Sequence, residues 1–278
     1  MLKPEEYEES ACLLRMEKKG APARAIPVGR VMEKLDEYLS RNDTDGALRH
    51  LRYWEAEAED GGDDRGLLTV DNELMGLYRK LGKKEEAFSC ARRAGQLTQK
   101  LGLTGHLTGA TVCLNQATVC EAFGQSGEAL EKYRRAREIY EHLLEPDDLR
   151  LLGLYNNMGL ACTALEKYDE AEDLFRRAIE QTAGQADWPE AAVSCLNMAD
   201  LMSARLSPEE AEKAAAPWLD KAEEYLFDPS IPEDGNYGFV LEKCAPVFGW
   251  YGRFLAEKKA AERSEEIYAG HGTGRTVL

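Results

Sequence analysis

The sequence predicts an all-α protein, an α-α superhelix of about six helix pairs with a short helix at its N-terminus. Three observations predict it. Small and apolar residues return along the 278-residue chain with a step of 40–44 residues. Within each copy they fall three and four residues apart, the spacing of a helix buried along one stripe. Glycine, proline and acidic residues punctuate the copies at corresponding places. No single helical hairpin can bury its apolar face alone, so copies of this kind stack.

The elements follow in order. Residues 1–27 form an N-terminal extension, with a short helix over about 5–18 ended by Gly20-Ala21-Pro22. The solenoid occupies 28–269, in repeats over about 28–67, 68–109, 110–151, 152–191, 192–235 and 238–269. Residues 270–278 are expected as a flexible tail. The clearest copy starts at Leu152 and places Tyr155, Met158, Gly159, Cys162, Tyr168, Ala171, Phe175 and Ala178 at positions 4, 7, 8, 11, 17, 20, 24 and 27. Counting from Ala110 gives Cys113, Ala117, Cys120, Gly124, Ala129, Tyr133 and Ala136. Counting from Leu68 gives Leu74, Tyr78, Gly82, Ala87, Ala91 and Ala94. A weaker N-terminal copy has Tyr38, Ala47, Leu51 and Trp54. Later copies carry Met198, Ala199, Met202, Leu219 and Ala222, then Cys244, Ala245, Phe248, Gly252 and Ser264.

Position 27 sets the register through Trp54, Ala94, Ala136, Ala178, Ala222 and Ser264, in steps of 40, 42, 42, 44 and 42. Small residues at 8, 20 and 27 let two helix backbones approach, and larger ones at 4, 7, 11 and 24 fill the seam between repeats. Breakers set the boundaries. Gly61-Gly62-Asp63-Asp64 and Gly102 to Gly105 read as loops. Ser207-Pro208-Glu209-Glu210 reads as a helix start, with Ser as cap and Glu at N3. Pro217 starts or kinks a helical stretch, and Pro246 predicts a kink. Asp228 to Asn236 is the longest expected loop.

This spacing resembles the tetratricopeptide repeat, whose pairs of antiparallel helices stack into a right-handed superhelix. The long step and the string Tyr140-Glu-His-Leu-Leu144 … Leu154-Tyr-Asn-Asn-Met-Gly159 resemble kinesin-light-chain-type repeats, well over 68–183 and loosely elsewhere. Glu145-Pro146-Asp147-Asp148 stands where those repeats carry an Asp-His-Pro motif. A 42-residue step exceeds the family's usual 34 by eight, or about two turns and ~12 Å of helix shared by the pair; Ile139 to Leu144 looks like the extended second helix. The repeat length is also similar to that of bacterial peptide-pheromone receptors. The whole resembles a bacterial tetratricopeptide-repeat protein. That implies a polypeptide held in a concave groove or, as the alternative, a peptide-sensing regulator without a DNA-binding domain.

Composition narrows the function. The 35 basic and 51 acidic residues leave a net charge of −16. Such a surface opposes nucleic acid, which needs a basic stripe, and anionic membranes; it would steer in a protein or peptide with a basic segment. No apolar run approaches the ~18 residues that span a bilayer. With no export signal and seven scattered cysteines, reduced thiols and a cytoplasmic location are expected. No HExxH, phosphate loop or GxSxG occurs, and His50, His106, His142 and His271 have no carboxylates at metal spacing. Neither catalysis nor a cofactor or metal is expected. Cys113, Cys120, Cys162, Cys195 and Cys244 fall at packing positions, as buried thiols.

The informative feature is the stripe at positions 2, 6, 9 and 13 of each first helix, flanked by position 5, which shares one face. It comprises Thr69, Asn72, Glu73, Gly76, Arg79 and Lys80; Thr111, Leu114, Asn115, Thr118 and Ala122; Gly153, Asn156, Asn157, Leu160 and Ala164; and Val193, Leu196, Asn197, Asp200 and Ala204. Asn115, Asn157 and Asn197 share position 6. An asparagine amide carries donor and acceptor and can bracket one peptide unit of an extended ligand, or tie neighbouring helices together. The candidate peptide-binding set is Asn72, Arg79, Asn115, Thr118, Asn156, Asn157, Asn197 and Asp200.

Overall fold

The computed structural model describes residues 24–41, 43–184 and 187–270. The expected N-terminal helix, Cys12, His271 and the tail after Gly270 lie outside them. The described residues form twelve α-helices and no strand: α1 Val28–Ser40, α2 Thr44–Gly61, α3 Asp64–Lys80, α4 Lys84–Lys100, α5 Leu107–Ala122, α6 Ser126–Leu143, α7 Leu149–Ala164, α8 Tyr168–Gly184, α9 Trp188–Arg205, α10 Pro208–Leu226, α11 Gly235–Trp250 and α12 Phe254–Gly270. Contacts divide the chain at Leu144 into two units. In the first, each of α1 to α5 packs on the helix that follows it, and α3 also packs on α5. In the second, α7 to α10 pack in succession, α11 pairs with α12, and α9 touches both α7 and α11. Within each unit this is an arrangement of stacked helix hairpins, in which α3 contacts α5, and α9 contacts α7 and α11, first helix to first helix.

Position 27 is buried in five of the six copies, while Trp54 in the first is only half-buried. Ala94, Ala136, Ala178 and Ala222 are fully buried, and Ser264 is buried and donates to the Gly238 carbonyl at 2.9 Å. Position 8 shows why small residues stand there: a Cβ on Gly159 would strike the Phe175 ring of the partner helix. Tyr133, Tyr140, Phe175 and Phe248 are the largest fully buried side chains, and each such side chain contributes about 1.5–3 kcal/mol of apolar burial.

The turn between the two helices of a pair has its own signature. Gly82, Gly124 and Gly252 adopt φ of 67°, 76° and 70°, and Glu166, at the same place in the fourth pair, adopts 58°. That left-handed conformation carries a steric cost for a residue with a Cβ. Gly62, at φ 65°, ends α2, and the Asp63 carboxylate accepts the Gly66 N–H to start α3. The two prolines in helix interiors, Pro217 and Pro246, sit inside continuous helices. Pro208 is N1 of α10, but the Ser207 hydroxyl accepts no cap bond and instead donates to Glu210 at 2.6 Å. The helix α11 begins at Gly235, two residues earlier than the loop reading had it.

Candidate binding face

The stripe residues divide by exposure. Asn72, Asn115, Thr118, Asn157, Asn197 and Arg79 are half-buried, Asp200 is exposed, and Asn156 is buried in the seam. Ala122, Ala164 and Ala204 are exposed. Thr69 and Leu196 are buried, so the stripe is narrower than its spacing alone suggested; the Thr69 hydroxyl turns back onto the Arg65 carbonyl at 3.2 Å.

The asparagines obey one geometric rule in each unit. The Asn115 amide on α5 donates to Asn72 Oδ1 on α3 at 3.0 Å. The Asn197 amide on α9 donates to Asn156 Oδ1 on α7 at 3.3 Å. In both cases position 6 of one repeat reaches position 5 of the repeat before. Asn156 is tied further, donating to Ser194 Oγ at 2.8 Å. Each pair spends one donor and one acceptor and keeps others. For Asn157 the sequence offers no such partner, because position 5 of the preceding repeat is Leu114, a side chain without an acceptor. The Asn157 side chain makes no hydrogen bond to another described residue.

The remaining members are partly committed. Thr118 donates to the Asn115 carbonyl at 2.8 Å. Asp200 accepts from the Tyr251 hydroxyl at 2.7 Å, and Ser203 lies 2.9 Å from that same hydroxyl. Although the residue is exposed, partial desolvation of its carboxyl raises Asp200 above its ordinary range, offset in part by Tyr251, whose own hydroxyl is pushed up to about 12, chiefly by burial. The Arg79 guanidinium buries its Nε without a hydrogen-bond partner and lies near enough to Tyr133 to act on its charge. Tyr251 and Ser194 were not legible as partners. Nothing in their local pattern distinguishes them from packing residues, and only the stacking of pairs brings them to the stripe. Glu73 stands beside Asn72 with a carboxyl raised to about 7, first by burial and then by Asp36, against Lys80.

A charge cluster surrounds the buried Asp71 on α3. Arg93 on α4 donates through Nε to Asp71 Oδ2 at 2.6 Å and through Nη1 to Glu59 Oε1 at 2.6 Å, and it also bonds Glu55. Glu55, Asp71 and Cys90 bring potential metal donors within 4.8 Å of one another. The guanidinium already neutralises those carboxylates, and burial, with Asp71 and Glu55 adding to it, pushes the Cys90 thiol up to about 12. A protonated thiol beside an arginine is a poor ligand set. Cys90, Cys120, Cys162, Cys195 and Cys244 are buried, whereas Cys113 is half-buried, a departure from its expected packing role.

Comparison with known proteins bears on this repeat geometry. Residues 150–216 match the family model described as tetratricopeptide repeat. That segment carries tetratricopeptide-repeat sequence. The repeats superpose on the apo form of RapI with a TM-score of 0.61 at 12% identity, covering 90% of this chain and 100% of that one. They also superpose on the nearly identical TPR-like repeats of a kinesin light chain from Podosopora anserina, with a TM-score of 0.53 at 18% identity, covering 74% of this chain and 97% of that one. At these identities the likeness is one of repeat fold. No curated protein matches the chain in sequence. Among the described residues, no helix is long and apolar enough to cross a membrane.

Proposed function

We propose that this chain is a non-catalytic cytoplasmic scaffold that holds an extended polypeptide segment along the first helices of its repeats. The observation that carries this reading is the amide register. Asparagines stand at positions 5 and 6 of the first helices in each unit, one pair hydrogen-bonded in each unit and Asn157 unbonded to any described residue, with donors and acceptors to spare. A ligand's peptide units present the complementary groups at every residue. Exposed alanines at 122, 164 and 204 leave room beside them. The net charge of −16 favours a partner whose segment is basic.

The test uses peptides recovered by pull-down and calorimetry on single variants. Asn157→Ala removes an amide that ties nothing, so affinity should fall by roughly fivefold or more, for one lost hydrogen bond of ~1 kcal/mol, with the melting temperature unchanged. Asn115→Ala should lose affinity and also ~1 kcal/mol of stability through the lost bond to Asn72. Unchanged affinity in both variants would remove the amides from the binding site.

A further inference from the structure

A second concavity lies in the first unit, between α4, α5 and α6, and is lined by none of the eight candidate peptide-binding residues. Its cavity volume is about 360 Å³. That is within the ~300–1,000 Å³ of small-molecule sites. Its wall is unusual for a protein of net charge −16. It carries Arg92 and Gln99 from α4, Cys113 and Gln116 from α5, and Lys132 and Arg135 from α6, and no lining residue is a carboxylate. Arg92 and Arg135 are exposed and form no ion pair with any described residue. Lys132 alone is paired, with Glu128 on its own helix at 3.2 Å. Both Lys132 and Arg135 act on the Cys113 thiol, which burial otherwise raises, so the two cations face the same interior. Glycine makes the space: a Cβ on Gly95 would come within 2.8 Å of the Gln116 amide, which donates to the Ala91 carbonyl at 2.6 Å.

Unpaired guanidiniums from two helices, converging with neutral amides on one cavity, form a wall of donors that lacks its acceptor. We infer that this cavity binds a small organic anion bearing phosphate or carboxylate groups. Arginine's planar fork suits either group in a bidentate contact. The ligand would sit across the second and third helix pairs and hold them together.

Calorimetry at low ionic strength tests this with pyrophosphate and citrate as probes, against chloride at matched ionic strength. One of the two should bind saturably at one site per chain, and which one does so separates phosphate from carboxylate recognition. Affinity should fall ~10-fold or more in the double variant Arg92→Ala, Arg135→Ala, for two lost charge-assisted contacts. It should be unchanged in Lys213→Ala, which removes a positive charge from α10. A second readout needs no variant: alkylation of Cys113 by iodoacetamide, followed on its own peptide, should slow several-fold when the bound probe saturates the wild-type chain. Binding by neither probe, equal affinity in the double variant, or Cys113 alkylation indifferent to the probe would each overturn the assignment.

Discussion

Glu73 shows how a single side chain on the candidate binding face sets a pH response. Its carboxyl sits at about 7 in the folded chain against an ordinary 4.5, because burial and Asp36 disfavour its charge more than Lys80 supports it. A carboxyl raised by folding binds its proton more readily folded than unfolded. Its contribution is therefore fully present below about pH 4.5 and is lost as the pH climbs to 7. Glu73→Gln should match the wild type near pH 4.5 and exceed its stability at pH 8. Glu73 keeps part of its surface open to water, so the expected gain is discounted to ~1–2 kcal/mol, read from urea unfolding at the two pH values. Arg93 is the opposite case. Asp71 is fully buried, and Arg93 is the cation that holds it. Arg93→Met should cost about 3–5 kcal/mol at pH 8, because it leaves a buried carboxylate uncompensated. The cost should shrink at pH 5, where Asp71, raised to about 6 mainly by burial, takes up a proton instead.

At the scale of the element, the turn within each helix pair repeats one backbone conformation, and the fourth pair meets it with the wrong residue. Glu166 holds φ 58° where Gly82, Gly124 and Gly252 stand in their pairs. Glu166→Gly should stabilise the second unit by ~0.5–1 kcal/mol by relieving the left-handed penalty, seen as a higher urea midpoint at unchanged slope. Repeat periodicity made the helix pairs legible because each pair solves the same packing problem: alanine at position 27 and glycine at position 8 stand where two backbones meet, and burial of Ala94, Ala136, Ala178 and Ala222 follows from that alone. The geometry of the candidate face was legible only in part. Its periodicity correctly put asparagines near neighbouring first helices, but it could not tell that Asn156 would be drawn into the seam by Ser194, or that Asn197 would choose position 5 over position 6 of the repeat before. Those outcomes depend on fractions of a helical turn, which the spacing of residues does not encode. Tyr251 reaches Asp200 from 51 residues away, and no local pattern announces such a contact.

At the scale of the molecule, each unit exposes one face of its first helices, and the proposal assigns ligand binding to that face and not to the second helices. Photo-crosslinking in the native cell tests this assignment most directly. A benzophenone amino acid replaces Ala122, Ala164 or Ala204, all exposed on first helices, and Glu131, Glu180 or Glu212, all exposed on second helices. The account predicts that the first-helix positions in each unit capture a polypeptide and that the last three positions do not. Capture of that polypeptide from the second-helix positions, with none from 122, 164 and 204, would contradict it.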